Sequence, residues 1–137
     1  NFYCEDPIDC PHPYTFPLDA KMTNCIVTGS DEDELSLKPV TDPTVRFNLL
    51  FDHCLLKIRK LTDQNQFPKF IQDYTQNCII SASLDPLFID ISKDNYRLDT
   101  LSIAEGKVYP RNNIFNDLEN VLRDPVKPDL GCYERLK

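Results

Sequence analysis

At 137 residues, with 41% hydrophobic and 27% charged side chains, the chain is long enough to bury one core and too balanced for wholesale disorder. Its net charge of −7 excludes partners that need clustered Lys and Arg, namely nucleic acid and anionic membrane surfaces. No stretch approaches the roughly 18 consecutive apolar residues of a membrane span.

Residues 1–20 carry Pro7, Pro11, Pro13 and Pro17 together with Cys4 and Cys10, and proline cannot donate to a sheet ladder. An irregular capping segment is therefore expected there, followed by a single domain over 21–137. No basic-then-apolar leader opens the chain, which is expected to be mature, trimmed or a fragment. Met22 to Thr28 reads as a strand closed by Gly29-Ser30; the acidic run Asp31 to Glu34 forms a solvated corner before Leu35-Ser36-Leu37 resumes alternation. Pro39 to Thr44 is a turn. Val45 to Phe51 alternates again and runs into Asp52 to Ile58, and the polar stretch from Thr62 to Pro68 projects as an excursion. Leu87 to Ile91 and Tyr96 to Leu98 read as further short strands. Helix is expected only over Asn116 to Leu122, with Asn116 or Asp117 as cap, and over Pro68 to Tyr74.

One phrase recurs three times: Asn24-Cys25-Ile26-Val27, His53-Cys54-Leu55-Leu56 and Asn77-Cys78-Ile79-Ile80, at separations of 29 and 24 positions. Such a period marks a supersecondary unit stacked on copies of itself. Asn24, Cys25, His53, Cys54, Asn77 and Cys78 are then expected to form a structural stack, the amides and the imidazole exchanging hydrogen bonds along the axis. Equivalent positions would lie about 4.8 Å apart, a spacing that permits a disulfide without requiring one. Cys25, Cys54 and Cys78 are read as buried free thiols acting as small hydrophobes, and Cys4 with Cys10 as a pair that could bridge a short loop. The spacing of His12, His53 and the cysteines assembles no tetrahedral set, so neither a metal nor a cofactor is expected.

The closing third carries Leu84-Asp85-Pro86-Leu87-Phe88-Ile89-Asp90, Asp94-Asn95-Tyr96-Arg97-Leu98, Ser102-Ile103-Ala104 with Gly106, and Pro128-Asp129-Leu130-Gly131-Cys132-Tyr133-Glu134. In order and spacing these motifs resemble the end of right-handed parallel β-helix, pectate-lyase-like proteins, and the Asn24 to Leu37 and Phe51 to Lys57 stretches resemble their last coils in secreted or surface-lipoprotein sets of Bacteroidetes type. Ile103 stands where that family has proline, and Asn120 where it has glycine. The resemblance implies an all-β fold, a right-handed parallel β-helix (solenoid) C-terminal fragment of a longer protein, secreted or on the outer surface of a bacterial cell. It also implies an exposed coil end, open to self-association, covered by residues 1–20, a neighbour or further sequence.

Fold analogy does not select an activity among lyases, glycan hydrolases and adhesins. A uronate lyase needs a basic side chain beside calcium-binding carboxylates; Lys57 or Arg59 as base, with His53 and Asp52 close by, is the candidate set. The bland alternative is a solvated basic face over Lys57, Arg59 and Lys60 and a structural His53. Asp85, Asp90, Asp94 and Asp99 are numerous enough for a hydrolase pair, yet each is placed where a carboxylate caps a turn. Phe2, Tyr3, Tyr14 and Phe16 would suit a carbohydrate-stacking platform, or cover the coil end. The expectation is a non-catalytic structural or binding portion of a surface protein, with carbohydrate or another surface protein as partner. The alternative is the terminal part of a polysaccharide lyase or glycoside hydrolase whose active site lies upstream.

Overall fold

The computed structural model describes residues 2–3, 14–37, 43–63, 67–81, 87–108 and 114–135. Its strands are β1 (Phe2–Tyr3), β2 (Tyr14–Thr15), β3 (Leu18–Thr23), β4 (Ile26–Val27), β5 (Phe47–Asp52), β6 (Leu55–Leu56), β7 (Thr75–Gln76), β8 (Ile79–Ile80), β9 (Phe88–Asp90) and β10 (Asn95–Leu98). Two short helices, α1 (Lys60–Asp63) and α2 (Phe70–Tyr74), separate β6 from β7, and a 3-10 turn, Ile91–Lys93, joins β9 to β10.

The repeated phrase folds as a corner. Asn24, His53 and Asn77 each sit in the left-handed region, with φ of 56°, 53° and 53°, and each turns the chain from one strand into the next. That conformation crowds Cβ against the following carbonyl, and asparagine and histidine are among the residues that tolerate it. Their recurrence is thus a backbone demand at a bend. The cysteine that follows has its own task there. Cys25 donates its thiol to Thr23 O (3.3 Å), Cys54 to Asp52 O (3.6 Å) and Met22 O (3.5 Å), and Cys78 to Gln76 O (3.5 Å) and Phe51 O (3.3 Å). A small side chain with a weak S–H donor fits beneath a tight corner and answers its carbonyls.

With corners matched, the strands pair in register. β5 lies between β3 and β7, all parallel, and β6 lies between β4 and β8, again all parallel, with Ile26 opposite Leu55 and Leu55 opposite Ile79. Because side chains alternate across a strand, the two residues of β6 point into different cores. Leu56 joins Phe51, Cys54, Ile58, Leu61, Phe67 and Phe70; Leu55 joins Leu87, Leu98, Ala104 and Leu130. Both leucines are fully buried.

The expectation of an all-β right-handed parallel β-helix is overturned: among the described residues the sheets hold two or three strands each and close into no solenoid. A third wall would have to run through Leu35 to Leu37, where the chain forms no strand and is tethered to the next repeat by Glu34 N–H donating to Lys57 O at 3.2 Å. Helices α1 and α2 occupy the corresponding stretch of the next repeat. Two pairs are also antiparallel, β1 with β2 and β9 with β10. The helix expected over Asn116 to Leu122 is likewise absent. Asp117 Oδ1 accepts from the N–H groups of Glu119 and Val121, both at 2.8 Å, and Asn120 takes a φ of 66°, so the segment doubles back with Asn116 bridged to Leu122. A side chain bonding its own backbone competes with helix and here prevails.

The closing segment is bound by buried carboxylates. Asp129, 3% exposed, accepts from Gly106 N (2.6 Å) and Arg135 N (2.9 Å). Glu134 accepts from Asp124 N (3.0 Å) and Asp129 N (3.1 Å), while its own N–H donates to Asp117 (2.9 Å). Gly131 donates to Asn24 O at 3.3 Å with φ 89°; a Cβ there would approach Ile26 Cδ1 to 3.1 Å. Only glycine suits that junction.

Candidate functional site

Asp52, at the end of β5, is 5% exposed and carries a small charge cluster. Its Oδ2 lies 3.0 Å from Lys21 Nζ, and its Oδ1 lies 2.6 Å from His53 Nδ1. A carboxylate only accepts, so Nδ1 carries the proton in that contact. Burial pushes the Asp52 carboxyl up, but the hydrogen bonds from Lys21 and His53 outweigh it and hold the group below its ordinary range. Asp117 behaves alike: burial opposes ionisation, and the N–H groups of Glu134, Val121 and Glu119 more than offset it. Groups with a depressed folded pKa lend stability above their unfolded pKa and lose it as pH falls through the folded value. The urea midpoint is expected to hold near neutrality and to fall below about pH 4, with a smaller acid loss in Lys21→Met. An unchanged midpoint down to about pH 3 would contradict this.

Lys57 is not on a solvated face. It is 7% exposed, its ammonium donates to Gly29 O at 2.6 Å, and it lies 4.0 Å from Glu34. Arg59 and Lys60 both pair with Glu32, and Asp33 accepts from the backbone N–H groups of Arg59, Lys60 (2.9 Å) and Leu61 (2.5 Å). The acidic corner is therefore the cap of α1 and the counter-charge of the basic cluster, where the sequence suggested two independent solvated faces. Lys57 and Arg59 do not converge on a common space with Asp52 and His53.

Of the carboxylates considered for a hydrolase, Asp90 accepts from Ser92 N at 3.1 Å and caps the 3-10 turn, and Asp99 accepts from Leu101 N at 3.3 Å. Asp94 supplies the left-handed residue after that turn. Asp85 lies outside the described residues, as do Cys4 and Cys10. Tyr3 is the register partner of Tyr14 in the β1–β2 ladder, and Phe16 is exposed. Among the described residues, no three His, Cys, Asp or Glu side chains gather closely enough to hold a metal ion.

Cys25, Cys54, Cys78 and Cys132 are all free thiols. Burial, the largest influence, pushes Cys54 up to about 11, whereas Cys132 is exposed. Since the thiolate is the reactive form, iodoacetamide is expected to label Cys132 rapidly and Cys54 only after denaturant is added, read by peptide mass spectrometry. Equal labelling of both in the native chain would contradict the placement.

Among the described residues, concave surface lies elsewhere. A cleft of about 540 Å³ opens between the Thr23–Asn24 corner and the doubled-back segment 114–125. Val108, Ile114, Phe115 and Leu122 line it, together with Arg123 and Asp124. A neighbouring hollow of about 480 Å³, walled by Phe88, Tyr96, Leu98 and Tyr133, shares Asn24 and Gly131 with it. Sequence reasoning passed over this cleft, although a signal existed. Ile114, Leu118, Leu122 and Val126 recur every four residues, which resembles a buried helical stripe; in the folded chain all four are more than 60% exposed.

Fold and site together define a protein of small parallel and antiparallel sheets bearing an apolar surface cleft. No protein-family model, curated protein or solved structure matches the chain, and so nothing in these comparisons confirms a pectate-lyase-like relationship. No helix among the described residues is long and apolar enough to cross a membrane.

Proposed function

We propose that this chain is a non-catalytic binding portion of a secreted or cell-surface protein, its ligand seated at the cleft beside Asn24. One observation carries the reading: the side chains suited to catalysis are engaged with the chain itself. Lys57 is turned to Gly29 and Glu34, Arg59 to Glu32, and Asp52 to Lys21 and His53. None of Lys57, Arg59, Asp52 and His53 lines the cleft. A general base must reach the proton it abstracts, and a lysine whose ammonium is already held by the Gly29 carbonyl does not. The secreted or surface location rests on the sequence resemblance alone, that of the Asn24 to Leu37 and Phe51 to Lys57 stretches and of the closing-segment motifs.

The competing reading, part of a polysaccharide lyase or glycoside hydrolase, draws on the 2.6 Å contact between His53 and Asp52. The two are separated by incubation with acidic glycans, followed through the ultraviolet absorbance of unsaturated uronates and through reducing-sugar release. No turnover above blank is expected. Turnover abolished by His53→Asn, which retains the left-handed preference, would establish the enzyme instead.

A further inference from the structure

We propose that the open edge of β7 and β8 pairs with the same edge of a second copy of this chain, Ile80 lying opposite Ile80 across a two-fold axis; this is independent of the cleft and its ligand. Each repeat hands the next the same three backbone bonds. Asn24 N–H donates to Asp52 O (3.1 Å), while Cys25 O and Val27 O accept from Leu55 N–H and Lys57 N–H, both at 2.9 Å. One repeat on, His53 N–H donates to Gln76 O (2.8 Å), and Cys54 O and Leu56 O accept from Ile79 N–H (2.8 Å) and Ser81 N–H (2.9 Å). At the third corner the corresponding groups, Asn77 N–H, Cys78 O and Ile80 O, find no backbone partner among the described residues. Successive residues of a strand direct their backbone groups to opposite sides. Since Ile79 and Ser81 donate into the preceding repeat, Ile80 turns both its N–H and its C=O outward.

Guarding, symmetry and charge select a second copy and its orientation. Edge strands are ordinarily protected by charge, proline or a covering segment, yet from Tyr74 to Leu84 the chain has no charged residue and no proline. The opposite edge is guarded in each of these ways. Pro17 precedes β3, Asp19 and Lys21 lie on it, and Gly131 N–H meets Asn24 O at 3.3 Å where the closing segment reaches the first corner. A head-to-tail partner would have to displace that contact, whereas two like edges meet without disturbing either copy. In an antiparallel ladder a hydrogen-bonded residue exchanges both its bonds with the residue opposite. Ile80 therefore answers its own copy, as a contact that is the same patch on both subunits requires. The net charge of −7 makes two copies repel except where they present neutral surface, and Ile80, 39% exposed, adds hydrocarbon at the axis.

The test is sedimentation equilibrium of the whole chain in reducing buffer, at concentrations up to about 1 mM. The mass should rise from one chain to two and no further, with half-association between about 10 and 500 µM, as small transient interfaces give. Ile80→Lys sets like charges opposite each other and should weaken the association at least about tenfold, while Ile80→Val should retain it. Residues that exchange both bonds stand about 5.5 Å apart at Cα, within reach of a disulfide. Ile80→Cys, made together with Cys132→Ser and mildly oxidised, should accordingly cross-link two chains through the substituted position, as peptide mass spectrometry would read. Should Ile80→Lys fail to fold, as circular dichroism would reveal, the mass curve of the unsubstituted chain and the Ile80→Cys cross-link decide the matter. A single-chain mass at every concentration, masses growing beyond two chains, association untouched by Ile80→Lys, or no cross-link through Ile80→Cys would overturn the assignment.

Discussion

Phe51→Ala is expected to destabilise the chain by about 3 to 5 kcal/mol, the cost of emptying a fully packed aromatic site. Phe51 is 1% exposed and lies on β5, the strand flanked by partners on both sides. Its ring lies 6.1 Å from that of Phe70, which in turn stands 5.6 Å from Tyr74, so the cavity would open where the sheet meets α2. The backbone cannot collapse into the gap, because Met22 and Thr75 hold Phe51 in register from either side. Urea unfolding should display a lower midpoint with an unchanged slope. A loss below about 1 kcal/mol would mean that the aromatic cluster is not the core described.

Asp129→Ala should cost about 2 to 4 kcal/mol, and for a different reason. Its carboxylate is the acceptor for two backbone N–H groups, those of Gly106 and Arg135, at 2.6 and 2.9 Å. Removing both oxygens strands two donors next to a position only 3% exposed, at about 1 to 3 kcal/mol for each buried group left unpaired. Asp129→Asn retains one acceptor and should lose roughly half as much. Thermal unfolding of both variants provides the check. Equal losses would show that charge, and not the number of acceptors, is what the closing segment uses.

Much of the local structure was legible in the residues. The thrice-repeated polar-Cys-aliphatic phrase marked equivalent positions, and the structure places them at three like corners paired in register. What the pattern concealed was the reason for its polar residue. A buried ladder of amides and a left-handed bend both select asparagine, and sequence cannot distinguish side-chain hydrogen bonding from backbone geometry at such a site. The capping residues of the helix expected over Asn116 to Leu122 misled in a similar way, since Asp117 and Asn120 turn the chain before a helix can propagate.

The cleft was invisible for a plainer reason. Its walls come from the 20s, from Val108 and from 114–125, and they meet where Gly131 brings the closing segment against the Asn24 carbonyl. Charge showed the same division. Composition placed the net balance at −7, but which carboxylate would answer which cation depended on contacts between residues some 27 positions apart, such as Glu32 with Arg59.

By itself, then, the sequence determined where the chain bends, which short runs pair and which thiols are small enough to lie beneath a corner, because those properties reside in a few neighbouring residues. Only the tertiary structure decided that the repeats stop at two three-stranded sheets, that Lys57 is buried against Gly29, and that an apolar cleft opens beside Asn24. Closure, burial and concavity depend on the distance between segments remote in the chain, and no local pattern encodes that distance.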